Sequence, residues 1–188
     1  MTKNRLLLHV CCGPCSLAPV EMLLAAERDC ELFFFNPNIH PGVEWQRRLD
    51  NAVIAAEHFG LPIHVFPGSD EKAWRERAEN GKERCRFCYE TRMSKTAEFA
   101  ANNGFESISS SLLVSPYQDR EAIIAIGKTV AAAYNLEFES HDWRDQFRYG
   151  QNLARELGLY RQKYCGCIVS LENSKFYEKV CAEHTKLK

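Results

Sequence analysis

The sequence predicts an α/β protein: a parallel sheet with helices on both faces, Rossmann-like, forming a single domain over residues 1–188. Three observations carry that expectation. Short apolar runs alternate with longer stretches of helical period, the pattern in which helical crossovers join parallel strands. A chain of 188 residues, 45% of them hydrophobic, can fill one core and is short for two. The thiol-rich turn Cys11-Cys12-Gly13-Pro14-Cys15 directly follows the first apolar run. A Rossmann-like sheet opens its ligand crevice at such a turn and starts a helix there.

The elements follow in order. Leu6 to Val10 reads as a buried strand. Ser16 to Glu27 has helical spacing, with Pro19 early enough to fall in a first turn. Cys30 to Phe35 is a second strand, and Asn36 to Gly42 a loop stiffened by Pro37 and Pro41. Val43 to Phe59 is a helix closed by Gly60, and Leu61 to Phe66 a third strand. Ser69-Asp70-Glu71 caps a charged helix running to Asn80. Gly81 interrupts it, and a second helix spans about Cys85 to Asn102 before Gly104. Phe105 to Val114 is a serine-rich strand, Arg120 to Tyr134 a helix and Leu136 to Ser140 the last strand. Helices over Trp143 to Leu157 and Val169 to Glu183 close the chain, with no repeat or low-complexity linker.

A formal net charge of −1 neither demands nor excludes a nucleic-acid partner, since a local basic patch is compatible with it. The leader Met-Thr-Lys-Asn-Arg and the run after it are too short for a secretory h-region or a membrane span, which points to a cytoplasmic protein without membrane attachment. In a reducing compartment nine cysteines are ligands or redox thiols rather than a disulfide scaffold. Cys30 and Cys181 stand alone and read as small hydrophobes. The others form three clusters: Cys11, Cys12 and Cys15; Cys85 and Cys88; Cys165 and Cys167.

Cys12-Gly13-Pro14-Cys15 has the spacing of a thioredoxin active site, so thioredoxin-like dithiol exchange is one reading. Against it, only a short leader precedes the turn, and dithiol exchange needs neither Cys11 nor a second Cys-x-x-Cys. Two thiols from each of the first two clusters would supply four thiolates, which suits zinc or a [4Fe-4S] cluster, and spacing does not choose between them. Their place at the ligand edge of a complete core favours iron-sulfur. Cys165-Gly166-Cys167 reads either as a strained, easily reduced disulfide or as two further thiols.

Cys-Cys-Gly-Pro-Cys, Phe35-Asn36-Pro37-Asn38-Ile39-His40-Pro41, Arg84-Cys85-Arg86-Phe87-Cys88-Tyr89, Leu112-Leu113-Val114-Ser115-Pro116-Tyr117-Gln118 and Arg161-Gln162-Lys163-Tyr164-Cys165-Gly166-Cys167 occur in that order. Together they make the chain resemble the cobalamin-independent epoxyqueuosine reductases of the QueH type, from about Leu6 to Ser174. The resemblance implies reduction of epoxyqueuosine to queuosine at the wobble position of a tRNA anticodon. It implies a [4Fe-4S] cluster on Cys11, Cys12, Cys85 and Cys88, and a redox-active disulfide between Cys165 and Cys167, served by an unknown electron donor. Cys15 stands where aspartate can occur in the family, and from this a second, mononuclear iron beside the cluster is expected.

Removing an epoxide oxygen as water takes two electrons and two protons, and His9, His40, Tyr117 and Asp119 are the candidate acids, with His9 read first as a buried core histidine. Asn36, Asn38, His40 and Tyr117 are expected to meet the modified base. Arg84, Arg86, Arg92 and Lys95, then Arg144, Arg148, Arg155, Arg161 and Lys163, interleave with Phe87, Tyr89, Trp143, Phe147, Tyr149 and Tyr160, as phosphate contact and base stacking require. Arg148 and Arg161 are the expected tRNA contacts tested first. Two rivals remain. The architecture resembles the adenine-nucleotide α-hydrolase-like group, yet thiols replace the small polar residues that would cradle pyrophosphate. A zinc-stabilised tRNA-binding module is the non-catalytic alternative.

Overall fold

The computed structural model describes residues 5–186; residues 1–4 of the expected leader, and residues 187–188 of the expected domain, lie outside them. Five strands form one wholly parallel sheet: β1 Leu6–His9, β2 Cys30–Phe35, β3 Ile63–Phe66, β4 Ser107–Ser110 and β5 Glu137–Phe138, in the order β3-β2-β1-β4-β5. Leu6 pairs with Cys30 on one side and Ser107 on the other, so β1 is central. Leu6, Leu7 and Leu8 are fully buried, as a strand covered on both faces must be. From β1 the chain winds outward to β3, then crosses back to β4 on the other side. The C-terminal ends of β1 and β4 therefore flank the topological switch point, where such sheets leave a crevice.

Helix α1 (Gly13–Ala25) packs against α2 (Gly42–Phe59) and α6 (Phe147–Glu156), and α4 (Gly81–Asn102) packs against α5 (Arg120–Ala133). The α1–α2 approach depends on Gly13: a Cβ there would sit 2.3 Å from the Asn51 carbonyl oxygen. Short helices α3 (Glu71–Arg75), α7 (Ile168–Glu172) and α8 (Tyr177–Lys186) complete the fold. With α4 and the preceding loop they enclose a second, smaller core of Trp74, Cys88, Tyr164, Cys167, Ile168, Val169, Leu171 and Val180. Among the described residues no helix is long and apolar enough to cross a membrane.

Several boundaries differ from expectation. Helix α1 begins three residues early because Pro14 suits a first helical turn, which leaves Pro19 inside the helix rather than at its start. Gly81 opens α4 instead of interrupting a helix, since Asn80 accepts from Glu83 N and caps it, while Asp70 caps only the short α3. The serine-rich strand stops at Ser110, whose side chain turns the chain into a 3-10 turn over Ser111–Val114 by accepting from Leu112 N. Trp143 precedes a second 3-10 turn, Arg144–Gln146, ahead of α6. The last expected helix is two, α7 and α8, separated at Asn173.

Candidate functional site

Cys11 and Cys12 leave the end of β1, and Cys15 lies in the first turn of α1, so a strand-to-helix turn delivers three thiols together. Their sulfurs lie within 4.8 Å of one another and all three are buried, the Cys11 and Cys12 sulfurs 3.7 Å apart. Thiols on such a turn can share bound metal, as a lone buried thiol cannot. The polar groups around them come from remote segments. Ser111 Oγ, just past β4, accepts from Cys11 N at 3.2 Å and donates to Cys11 Sγ at 3.6 Å. Gln162 accepts from Cys12 Sγ and donates to Cys15 Sγ, both at 3.5 Å.

Hydrogen bonds from Cys12 and Cys15, with Arg92 nearby, hold the Cys11 thiol well below its ordinary pKa. Contact with Cys11, together with burial, pushes Cys12 and Cys15 up. The cluster thus favours negative charge on Cys11 before the other two, and a cation bound there would favour the deprotonated form of all three. The donor set, its burial and its compactness fit a thiolate-held metal group.

The other four clustered cysteines stand elsewhere around the same space. Cys85, Cys88, Cys165 and Cys167 line a recess of about 20 Å³. Cys85 and Cys165 also line the main cavity of about 1000 Å³, together with Cys11 and Cys15. The tight sulfur group is therefore Cys11, Cys12 and Cys15, while Cys85 and Cys88 are grouped with the Cys-Gly-Cys segment. Burial pushes Cys88 up to about 12, with Arg92 opposing, and raises Cys85, which also feels Cys165. Cys165 and Cys167 are free thiols in different settings. Cys165 is exposed and receives Gln118 Nε2 at 3.6 Å, whereas Cys167 is buried and caps α7 by accepting from Ser170 N at 3.4 Å.

What holds the Cys-Gly-Cys segment is a buried ion pair that the sequence did not advertise. Arg48, 2% exposed on α2, binds Glu44 at 2.7 Å and donates to the carbonyls of Cys165 at 2.9 Å and Tyr164 at 3.0 Å. Glu44 in turn accepts from Tyr160 Oη at 3.0 Å and pairs with His184 Nε2 at 3.1 Å. His40 N donates to the Gly166 carbonyl at 2.9 Å. Gly166 has φ +137, which strains any side chain, and a Cβ there would also crowd Arg48 Nη1 at 3.2 Å, so both features favour glycine. In sequence Glu44 and Arg48 look like an ordinary surface i,i+4 pair; only the spacing was visible.

The remaining expected site residues divide. Asn38 and Tyr117 line the main cavity, as do Arg84, Arg86, Arg92, Lys163, Tyr89 and Phe147. Tyr117 is 83% exposed, its ring 5.8 Å from Phe147 and edge-on to it. Asn36 and His40 do not reach the cavity. Asn36 donates to the Val10 carbonyl and accepts from Arg92. His40 is buried with both nitrogens engaged: Nδ1 accepts from Ile168 N at 3.1 Å, so Nε2 carries the proton toward the Pro37 carbonyl at 3.0 Å. His9 is likewise enclosed between Ser110 Oγ and the Phe35 carbonyl, and burial, with Arg92 adding, lowers its pKa to about 3. Both imidazoles are therefore spent on contacts within the fold, and burial disfavours the charged form of each. Asp119 lines the cavity but caps α5 through Ala122 N.

Arg161 is exposed beside the cavity and bonds Gln151, which lines it, whereas Arg148 is exposed on α6. Several other expected RNA contacts are occupied. Arg144 pairs with Asp142, Lys95 with Glu98, and Tyr149 bonds Glu21; Trp143 is buried and stacked on His141. Tyr160 bonds Glu44, and Phe87 packs on Trp74. Cys30 and Cys181 stay out of the thiol groups, and burial lifts Cys30 to about 11.

Comparison with known proteins places the chain among named relatives. A family model described as epoxyqueuosine reductase QueH matches residues 6–173. The chain is 37% identical over 176 residues to an epoxyqueuosine reductase QueH of Thermotoga maritima, covering 88% of this chain and 89% of that one. A relative of the same description from Acinetobacter baylyi is 36% identical over 180 residues, covering 91% and 82%. Another from Haemophilus influenzae is 34% identical over 181 residues, covering 91% and 73%.

Proposed function

The chain belongs to the epoxyqueuosine reductase QueH family, and we propose that it reduces epoxyqueuosine to queuosine at the wobble position of a tRNA anticodon, with a [4Fe-4S] cluster and the Cys165–Cys167 pair as its redox groups. It is an oxidoreductase of tRNA modification. The observation that carries the detailed reading is the gathering of cysteines from three remote stretches around one cavity and its adjoining recess.

In this reading Cys11, Cys12, Cys85 and Cys88 hold the cluster, and Cys15 holds a second iron beside it. When bound, such a cluster supplies electrons singly. The thiols balance the overall reaction. Converting an epoxide to an alkene consumes two electrons and two protons and releases one water, and oxidation of Cys165 and Cys167 from dithiol to disulfide yields two electrons and two protons. An external electron donor then reopens the disulfide. Cys165 is the member of the pair that faces the cavity, which suits it to the exchange. Tyr89, whose proton is retained because burial raises its pKa, donates to Gln118 Oε1 at 2.8 Å. Gln118 is thereby turned with its amide nitrogen toward Cys165.

The nucleotide must leave its stack to reach this depth. Tyr117 and Phe147 offer an aromatic face at the mouth, and Lys82, Arg84 and Arg86 supply positive charge for the flanking phosphates. Arg161 and Arg148 extend that charge outward over the solvent face.

The deciding experiment is anaerobic reconstitution with iron and sulfide, then dithionite-driven turnover of an epoxyqueuosine-containing anticodon stem-loop, followed by mass spectrometry of its nucleosides. Loss of one oxygen atom is expected, from a brown protein absorbing broadly near ~400 nm. A colourless zinc protein that binds the stem-loop and leaves the epoxide intact would instead favour the binding-module alternative.

A further inference from the structure

The main cavity is rich in donors, and apart from the carboxylate of Asp119, which caps α5, its side-chain acceptors are amide oxygens and hydroxyls. Its cationic groups include Lys82, Arg84, Arg86 and Arg92. Three amide oxygens that could balance them are committed: Gln118 Oε1 accepts from Tyr89, Gln162 Oε1 from Cys12, and Gln151 Oε1 from Arg161. Asn38 differs. It is 2% exposed, and its Oδ1 is buried without a partner among the described residues. A carbonyl oxygen removed from water and left unpaired is costly, and a fold avoids that by pointing the group outward or supplying a donor.

Neither escape is open here. Asn38 sits in the loop between β2 and α2, where Ile39 N donates to Asn36 O at 3.2 Å and His40 N to Gly166 O at 2.9 Å, so the backbone on either side is fixed. The side chain borders both the main cavity and the recess, between surfaces that each include Cys85 and Cys165. Gly166 leaves it room: a Cβ at that position would come within 3.3 Å of Asn38 Nδ2. An acceptor held at this depth, beside the thiols, meets whichever part of a ligand undergoes the redox step.

We infer that Asn38 Oδ1 accepts a hydroxyl hydrogen from the cyclopentane diol of epoxyqueuosine, making Asn38 a specificity-determining contact for the ring that carries the epoxide. This rests on the reductase reading above. The N–H donors of the deazaguanine base lie at the end of the substrate away from the epoxide ring. Next to that ring the donors are its hydroxyls and the linking secondary amine. Of these the hydroxyls belong to the ring that meets the thiols, a choice the O-methylated substrate below tests directly. A site that hydrogen-bonds a substrate hydroxyl also rejects analogues lacking it, because the protein group is then left unpaired.

The test pairs an enzyme variant with a substrate variant. In reconstituted Asn38→Leu, kcat/KM on the epoxyqueuosine stem-loop should fall roughly 10- to 100-fold, with iron content unchanged and melting temperature equal to or above wild type, because an unpaired oxygen has been removed. Asn38→Asp keeps the oxygen and should recover most of the loss. A stem-loop whose cyclopentane hydroxyls are O-methylated should be poor for the wild type and no poorer for Asn38→Leu. Unchanged kinetics in Asn38→Leu, or losses that multiply when enzyme and substrate changes are combined, would overturn the pairing while leaving the reductase intact. Wild-type protein that binds its iron and never removes the oxygen would overturn both.

Discussion

The two thiol groups face a common cavity and are held by different means. Cys11, Cys12 and Cys15 are anchored in the main core by the central strand and the helix that follows it, and the sheet itself fixes their spacing. Of the other four, Cys88 and Cys167 are members of a satellite core built around Trp74, Cys165 is exposed beside it, and Cys85 packs against the main core while lining the same recess. One buried guanidinium, Arg48, ties that satellite to α2. A site placed by main-chain geometry is stiff from the start. One placed by a side-chain network is only as firm as its weakest hydrogen bond, and can move when its chemistry changes.

The sharpest way to break this comparison is to remove one thiol from each group. Cys12→Ala and Cys165→Ala should each lower turnover by roughly a thousand-fold or more. The first should lose iron on reconstitution and the second should keep a wild-type content; equal iron loss in both, by metal analysis, would erase the division of labour. Next in size is Arg48→Met, which leaves Glu44 buried without its cation and should cost roughly 3–5 kcal/mol in urea unfolding. It should also open Cys167 to thiol alkylation while Cys11 stays protected, and parallel labelling of both would deny the satellite its separate support. On the other side, Gly13→Ala forces α1 from α2 and should cost about 1–3 kcal/mol without changing Cys167 labelling.

Smaller effects concern the surroundings. Arg161→Glu, beside the cavity, should weaken stem-loop binding severalfold and flatten its dependence on salt. Arg148→Glu should do so less; identical affinities for both variants and wild type would remove Arg161 from the interface. Glu139, on the far side of the sheet from α2, serves as a control. Burial works against its ionisation, but hydrogen bonds from His141, Ser107 and Arg28 prevail and hold its pKa at about 2, against an ordinary 4.5. Its folded-state pKa is depressed, so its stabilisation is complete above about 4.5 and fades as pH falls toward 2. Glu139→Gln should flatten the acid limb of stability in that window alone, as followed by circular dichroism.

Much of the fold was legible because its signals are local. The β1 turn could be read from an apolar run followed by Gly13 and Pro14, and the alternation of strands with helices gave a parallel sheet. Errors came where a side chain overrode the pattern: Asn80 capped α4 early, and Ser110 ended β4 before its apolar residues ran out. The site was half legible. Cysteine spacing picked out the thiols that line the cavity and recess, and of the three polar candidates on the loop after β2 Asn38 alone lines the cavity. Asn36 and His40 turn inward because carbonyls and amides of neighbouring segments needed partners there.

By itself, then, the chain's order of residues determined the sheet, the turn that presents three sulfurs, and membership in a family of tRNA-modifying reductases. Those properties are written in neighbouring residues and in motifs that survive without coordinates. Tertiary structure decided which sulfurs stand together, which polar side chains reach the cavity, and that Arg48 and Glu44 are a buried clasp rather than a solvated pair. Each of these depends on which distant segments meet, and contact between positions a hundred residues apart leaves no local trace in the sequence.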